Sequence, residues 1–232
     1  MEWTKYPTYF RANTKQKSLD WKKLRYCCLN SSDSSKWSGR ANPMFVESPE
    51  IEALYICGIK EKEFSPLQIE NMNIGNYLEP FIVKWYGEQN NLIIPEVGVS
   101  VWKKDFRFRS SLDIDPGEEY DFFGEVKAPK FLYRPLIEHM EAIKKGFKPP
   151  PFYHRHIYDN HYDQMTTSAI IHNRKFADYV VVSAETKQSY IERLKIDEDH
   201  WNNVLYPKGC LFYDTYITPL MKQYSLTRID PK

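Results

Sequence analysis

Asp113, Glu125 and Lys127 are the residues whose types and spacing suggest chemistry: an acid, eleven intervening positions, a second acid, and a lysine two places on. Glu125-Val126-Lys127 follows Phe122 and Phe123, and in a strand alternate side chains share a face, so Glu125 and Lys127 point one way while Val126 enters the core. Asp113, near the end of the neighbouring strand, can lie beside them. Two carboxylates with a backbone carbonyl and waters are hard oxygen ligands suited to Mg²⁺ or Mn²⁺. Such a cation lowers the pKa of a bound water and stabilises charge on a phosphodiester, and a lysine ammonium orients that water. That geometry suits phosphodiester cleavage.

An acid, an acid and a lysine also meet by chance on solvated hairpins, since charged residues make up 27% of the chain. Context weighs the other way. Apolar neighbours on both sides bury Glu125, and an unpaired buried charge is costly unless a cation relieves it. Glu79 adds a third acid on an apolar helix, although such a residue alone is more often a surface one. Gln164 lies on a later helix whose other face is apolar, and can fix a water or a phosphate.

The elements that must position these groups follow from periodicity. Residues 18–29 read as a short helix capped by Ser18, with Leu19, Leu24 and Cys28 on one side. A second helix over 65–86 carries Leu67, Ile69, Met72, Ile74, Leu78, Phe81, Ile82 and Trp85, with Gly75 and Pro80 expected to bend or split it. The period then changes to two at Val97, Val99 and Val101. Residues 106–114 and 121–128 are expected to form a hairpin across the turn Asp115-Pro116-Gly117-Glu118-Glu119. Helices follow over 132–145 and 157–172, and Pro149-Pro150-Pro151 between them is a loop or hinge. Residues 176–183 form a buried strand with a partner over 189–196. The tail from 197 is helical and broken at 207–209 and at Pro219. Helices and strands in this order describe an α/β (α+β) fold, a central mixed sheet flanked by helices, in a single domain of 232 residues.

Apolar residues reach 42% and aromatics 16%, too rich for a disordered chain, while a mean hydropathy of −0.62 marks a soluble one. No stretch approaches the roughly 20 apolar residues of a membrane span, and the first residues lack a signal-peptide core. The expected compartment is intracellular, cytoplasmic or nuclear. Cys27, Cys28, Cys57 and Cys210 form no C-x-x-C pair and no zinc-like spacing with histidine, so reduced thiols are expected. A net charge of +1 excludes coating nucleic acid by bulk electrostatics but leaves room for a local basic channel.

With these residues in place the chain resembles the λ-exonuclease and YqaJ-like recombination nucleases of viruses and phages, a branch of the PD-(D/E)XK superfamily, over about residues 20–185. Their tryptophan, leucine-arginine and later serine match Trp21, Leu24-Arg25 and Ser32, and their G-x-x-x-E matches Gly75 to Glu79. Ser111-Leu112-Asp113-Ile114 stands for S-P-D-G and Glu125-Val126-Lys127-Ala128-Pro129 for E-x-K-x-P. His161-Tyr162-Asp163-Gln164 stands for Tyr-x-x-Gln, ahead of the apolar run Asp178 to Val182. The proline and glycine of the third box are absent and a histidine replaces the tyrosine of the fifth, which leaves the role of His161 open.

The resemblance implies that Asp113, Glu125 and the Val126 carbonyl bind the metal, Mg²⁺ with Mn²⁺ as a substitute, that Glu79 and Gln164 support metal and water, and that Lys127 assists the nucleophile. Arg25, Ser32 and Ser111 would hold a 5′-phosphate, for which a guanidinium fork and two hydroxyls are suitable donors. It further implies 5′ to 3′ removal of nucleotides from double-stranded DNA ends, leaving 3′ tails for recombination, repair or replication. Relatives include ring-shaped trimers and work beside single-strand annealing proteins, and some degrade RNA as well. An endonuclease of the same fold, cutting at a sequence or a structure, is the alternative; a nucleic-acid-binding protein without catalysis is a third reading, against which the intact acids argue.

Lys103, Lys104, Arg107, Arg109, Lys130 and Arg134 flank the metal box and read equally as duplex-backbone contacts or as a solvated edge. His154, Arg155 and His156 read as exposed loop residues. The aromatic excess, Trp102 and Tyr153 included, reads as core.

Overall fold

Gly98 shows how the first sheet begins. A side chain there would put its Cβ 2.2 Å from the carbonyl oxygen of Ala12, so only glycine lets the two backbones approach. The computed structural model describes residues 2–43, 46–150 and 152–232; Pro151 of the proline run lies outside them, and Pro149 and Pro150 are irregular as expected. Beyond Gly98, β4 (Ser100–Trp102) pairs antiparallel with β2 (Tyr9–Ala12) and with β5 (Phe108–Ser110). β1 (Trp3–Lys5) joins β2, and β3 (Leu29–Asn30) runs parallel to β5, giving the order β1-β2-β4-β5-β3. The expected alternation over 97–102 holds at the valines, but Ser100 and Trp102 are buried too, because helices cover the second face.

The second sheet is β6 (Phe122–Lys127), β7 (Phe176–Val182) and β8 (Ser189–Lys195), with β6 parallel to β7 and β8 antiparallel at the edge. A parallel pair needs a long crossover, here α5 (Arg134–Lys144) and α6 (Asp159–His172). The expected single sheet is thus divided in two. The expected hairpin shrinks to one antiparallel bridge between Ile114 and Gly124. The reason lies in the turn: Asp115 is buried and paired with Arg11 at 2.5 Å and Arg174 at 3.5 Å, which draws the chain away from strand register.

Ser18 caps α1 (Leu19–Arg25), accepting a bond from the Trp21 amide. The helix stops four residues before the expected 29 because Tyr26 is extended and Cys27 has φ +55; Leu24 is buried while Leu19 is exposed. α4 (Pro66–Asn90) opens on a Ser65/Gln68 capping box and closes on left-handed Asn91. It is neither split at Gly75 nor at Pro80. Pro80 and Asn76 are both exposed, so water can take the carbonyl that the missing N–H leaves free. Only its second half is packed: Ile82 and Tyr86 are buried, while Leu67, Ile69, Met72, Tyr77 and Phe81 are exposed. The first half of the expected apolar stripe therefore faces out.

The tail is helical without a break from Glu198 to Gln223, another departure. Wide π-helical turns at Trp201–Leu205 and Tyr213–Ile217 stand just before Pro207 and Pro219 and relax the i to i−4 spacing that proline cannot satisfy. Trp201, Leu205, Phe212, Tyr213 and Ile217 pack in one core with Tyr9, Trp37, Trp102 and Phe108. The four cysteines are free, three of them buried and Cys210 partly so. No described helix is long and apolar enough to cross a membrane.

Candidate functional site

Glu125 and Lys127 project together from β6, as a two-residue repeat requires. Lys127 Nζ donates to Glu125 Oε1 at 2.7 Å and to Gln164 Oε1 at 3.1 Å, and Gln164 Nε2 donates to Glu125 Oε1 at 2.7 Å. Three side chains from β6 and α6 thus lock one another. Glu125 is 2% exposed, and its Oε2 is buried with no partner. Buried polar atoms usually find a partner, so this oxygen is open to a bound cation or donor.

Asp113 reaches the same place through the bridge. Gly124 exchanges both backbone bonds with Ile114, so two residues on, Val126 presents its N–H and C=O on the same side of the strand. The N–H donates to Asp113 Oδ2 at 2.9 Å. A Cβ on Gly124 would lie 2.8 Å and 2.9 Å from Ile114 side-chain atoms, so glycine permits this approach. Burial and the charge of Glu125 push the Asp113 carboxyl up to about 7, with Lys127 and the Val126 amide opposing. Burial works against the Lys127 ammonium, but Glu125 and Asp113 outweigh it and hold its pKa above the usual lysine value. Two carboxylates, one orphan oxygen and a strand carbonyl fit a hard divalent cation.

Glu79, on α4, lines the same cavity of about 360 Å³ as Asp113, Glu125, Lys127 and Gln164. Its pKa is raised by burial and by Asp113, and its ion-pair partner is Lys17 at 3.3 Å. His161 hydrogen-bonds Tyr179 at 2.6 Å, and burial with Lys127 nearby keeps it well below the usual histidine range. It stands as a neutral ring in the wall.

Arg25, Ser32 and Ser111 line that same cavity. Arg25 donates to Ser32 at 2.5 Å and stacks on the Trp21 ring at 4.2 Å, while the Trp21 indole donates to Ser111 at 3.0 Å. Burial lowers the pKa of Arg25 below the usual guanidinium value, with Asp33 opposing, yet it remains a cation at neutral pH. One cavity is therefore lined both by the acids and by a guanidinium and two hydroxyls, and every residue expected at the site from sequence borders it.

Sequence reasoning passed over Lys17, Gln16 and the bridging role of Trp21. Gln16 donates to the carbonyls of Leu112 and Val97, which holds the strand leading to Asp113; no local signal marks it, whereas Trp21 already stood in the motif. Among the flanking cations, Arg109 is fully buried and bonded to Ile229 and Asp230. Arg107 pairs with Asp105 and Asp214, Lys103 with the carbonyl of Tyr6, and Arg134 with Glu138. Arg109 nevertheless lines the cavity of the acids, and Lys130 borders a second hollow shared with Glu79 and Lys127. His156, expected to be exposed, is buried.

No protein-family model matches the chain, and no curated protein matches it significantly. Among solved structures, the alkaline exonuclease LHK-Exo of Laribacter hongkongensis aligns with a TM-score of 0.63 and 18% identity over 90% of this chain and 98% of its own. The same enzyme in complex with dAMP aligns at 0.63 and 19% over equal shares. A phage-related exonuclease from Haemophilus somnus 129PT aligns at 0.55 and 14%, over 88% and 99%. The chain thus has the PD-(D/E)XK nuclease fold that these exonucleases share.

Proposed function

We propose that this chain is a divalent-metal-dependent deoxyribonuclease that removes nucleotides 5′ to 3′ from the ends of duplex DNA. The observation that carries the reading is the single cavity in which Asp113, Glu125 and Lys127 face Arg25, Ser32 and Ser111. LHK-Exo, of the same fold, is an exonuclease whose structure holds dAMP, which supports nucleotide binding by this chain.

Asp113, Glu125 through Oε2, and the Val126 carbonyl would hold the cation, Mg²⁺ or Mn²⁺. When bound it would supply a water of lowered pKa and neutralise charge on the scissile phosphate. Lys127 Nζ orients the attacking water and offsets the developing negative charge. Gln164 holds Glu125 Oε1 and Lys127 in place, leaving Oε2 free for its task. Glu79 supports the water network from α4. Arg25 grips the terminal 5′-phosphate with its planar fork, kept rigid on Trp21, while Ser32 and Ser111 add hydroxyl donors. Fixing that phosphate sets which bond lies over the acids, so cutting proceeds stepwise from the end.

Release of nucleotides from a linear duplex with a 5′-phosphate, in Mg²⁺ but not in EDTA, is the expected result, with a closed circle left intact. Nicking of the circle would instead assign an endonuclease.

A further inference from the structure

We propose that His139, His156 and Glu192 form a zinc site, separate from the carboxylate centre, that staples α5 and the connection after it to the edge strand β8. One ligand atom from each residue lies within 4.8 Å of the others. His139 comes from α5, His156 from the loop behind the proline run and Glu192 from β8, and none of the three borders the cavity holding Asp113.

Both histidines are buried, at 7% and 4% exposure. Their rings stack 3.8 Å apart at 7°. His156 Nε2 lies 2.6 Å from Glu192 Oε2, which also accepts a bond from the Tyr190 hydroxyl at 2.6 Å. A hydrogen bond from Tyr190 onto a ligand carboxylate is the outer-shell support that metal sites use. The rings are parallel, so taking one ion requires the His139 ring to turn about its terminal torsion, which is soft in histidine.

Two imidazoles and one carboxylate match the three protein ligands of a tetrahedral zinc centre, with water fourth. Imidazole nitrogen selects zinc over Mg²⁺, so the two centres differ in the metal they take. Sequence spacing could not disclose this site, because its ligands come from a helix, a loop and a strand.

The test uses the full chain carrying Asp113→Asn, which disables the carboxylate centre. Zinc titration should give one ion per chain, and free zinc at about 100 times its Kd should raise Tm by about 5–10 °C. Adding His139→Gln should weaken zinc binding by at least about 100-fold. If that variant fails to fold, Tyr190→Phe, which removes one hydroxyl, should weaken binding about 10–100-fold. Absence of zinc binding in Asp113→Asn overturns the proposal. So does unchanged affinity in a folded His139→Gln chain, or in Tyr190→Phe where the former does not fold. The first of these would leave His156 and Glu192 as a packing contact. None of these outcomes bears on whether the chain cuts DNA.

Discussion

Asp113 carries a desolvation cost when ionised, which a bound cation would offset. Without metal its folded pKa is about 7 against an ordinary 3.8, so the folded state holds the proton more tightly than the unfolded one. The contribution of Asp113 to stability is then most favourable below about pH 4, falls as pH rises through the interval, and is at its full cost above pH 7. In EDTA, Asp113→Asn, which keeps an acceptor for the Val126 amide, should be more stable than the parent by about 2–4 kcal/mol at pH 8 in urea denaturation. The gap should close towards pH 4; an equal gap at both pH values would show that burial of this charge is not its cause. At the phosphate end, Arg25→Ala should reduce release from a 5′-phosphorylated duplex by about 10–100-fold and leave a hydroxyl-ended duplex little changed. Equal losses on both ends would remove Arg25 from phosphate recognition. Arg25→Lys should restore only part, since an ammonium lacks the fork.

At the scale of elements, the site depends on a bridge of one residue pair rather than a hairpin. Gly124→Ala would force its Cβ against Ile114, and overpacking of this kind costs about 1–3 kcal/mol. The same displacement separates Asp113 from Glu125, so a large loss of rate, read with the stability measured in parallel, is expected; full activity would show that the bridge does not set the spacing of the acids. By contrast Ser65→Ala, which removes a cap of α4 far from the acids, should cost about 1 kcal/mol in stability and spare the rate, and a lost rate would tie that helix end to the chemistry. Glu125 and Lys127 were legible in sequence because a two-residue repeat in an apolar strand allows one arrangement. Asp113 was legible as a residue but not as a geometry. Strand pairing there is decided by the buried Asp115 and its arginines, contacts of long range that no turn motif announces.

The whole molecule joins parts that sequence order keeps apart. The helical tail was read as a broken appendage because prolines ordinarily end helices, yet its π-helical turns absorb them and its aromatics complete the core under the first sheet. Arg109 reads in sequence equally as a DNA contact or a solvated edge; in the fold Ile229 and Asp230 bond it while it lines the cavity of the acids. The order of the five motifs along the chain was visible, and the fold gathers all of them around one cavity; the division into two sheets was not visible, since it follows from which strand edges meet. The most direct test of the central claim is digestion of a linear duplex labelled on one strand, with and without a 5′-phosphate, in Mg²⁺ and in EDTA, beside a closed circle and Lys127→Ala. Metal-dependent release from the phosphorylated linear duplex, at least about 100-fold lower in Lys127→Ala, is the result expected, and a chain that cuts none of these substrates in Mg²⁺, or cuts them equally well without Lys127, would contradict it.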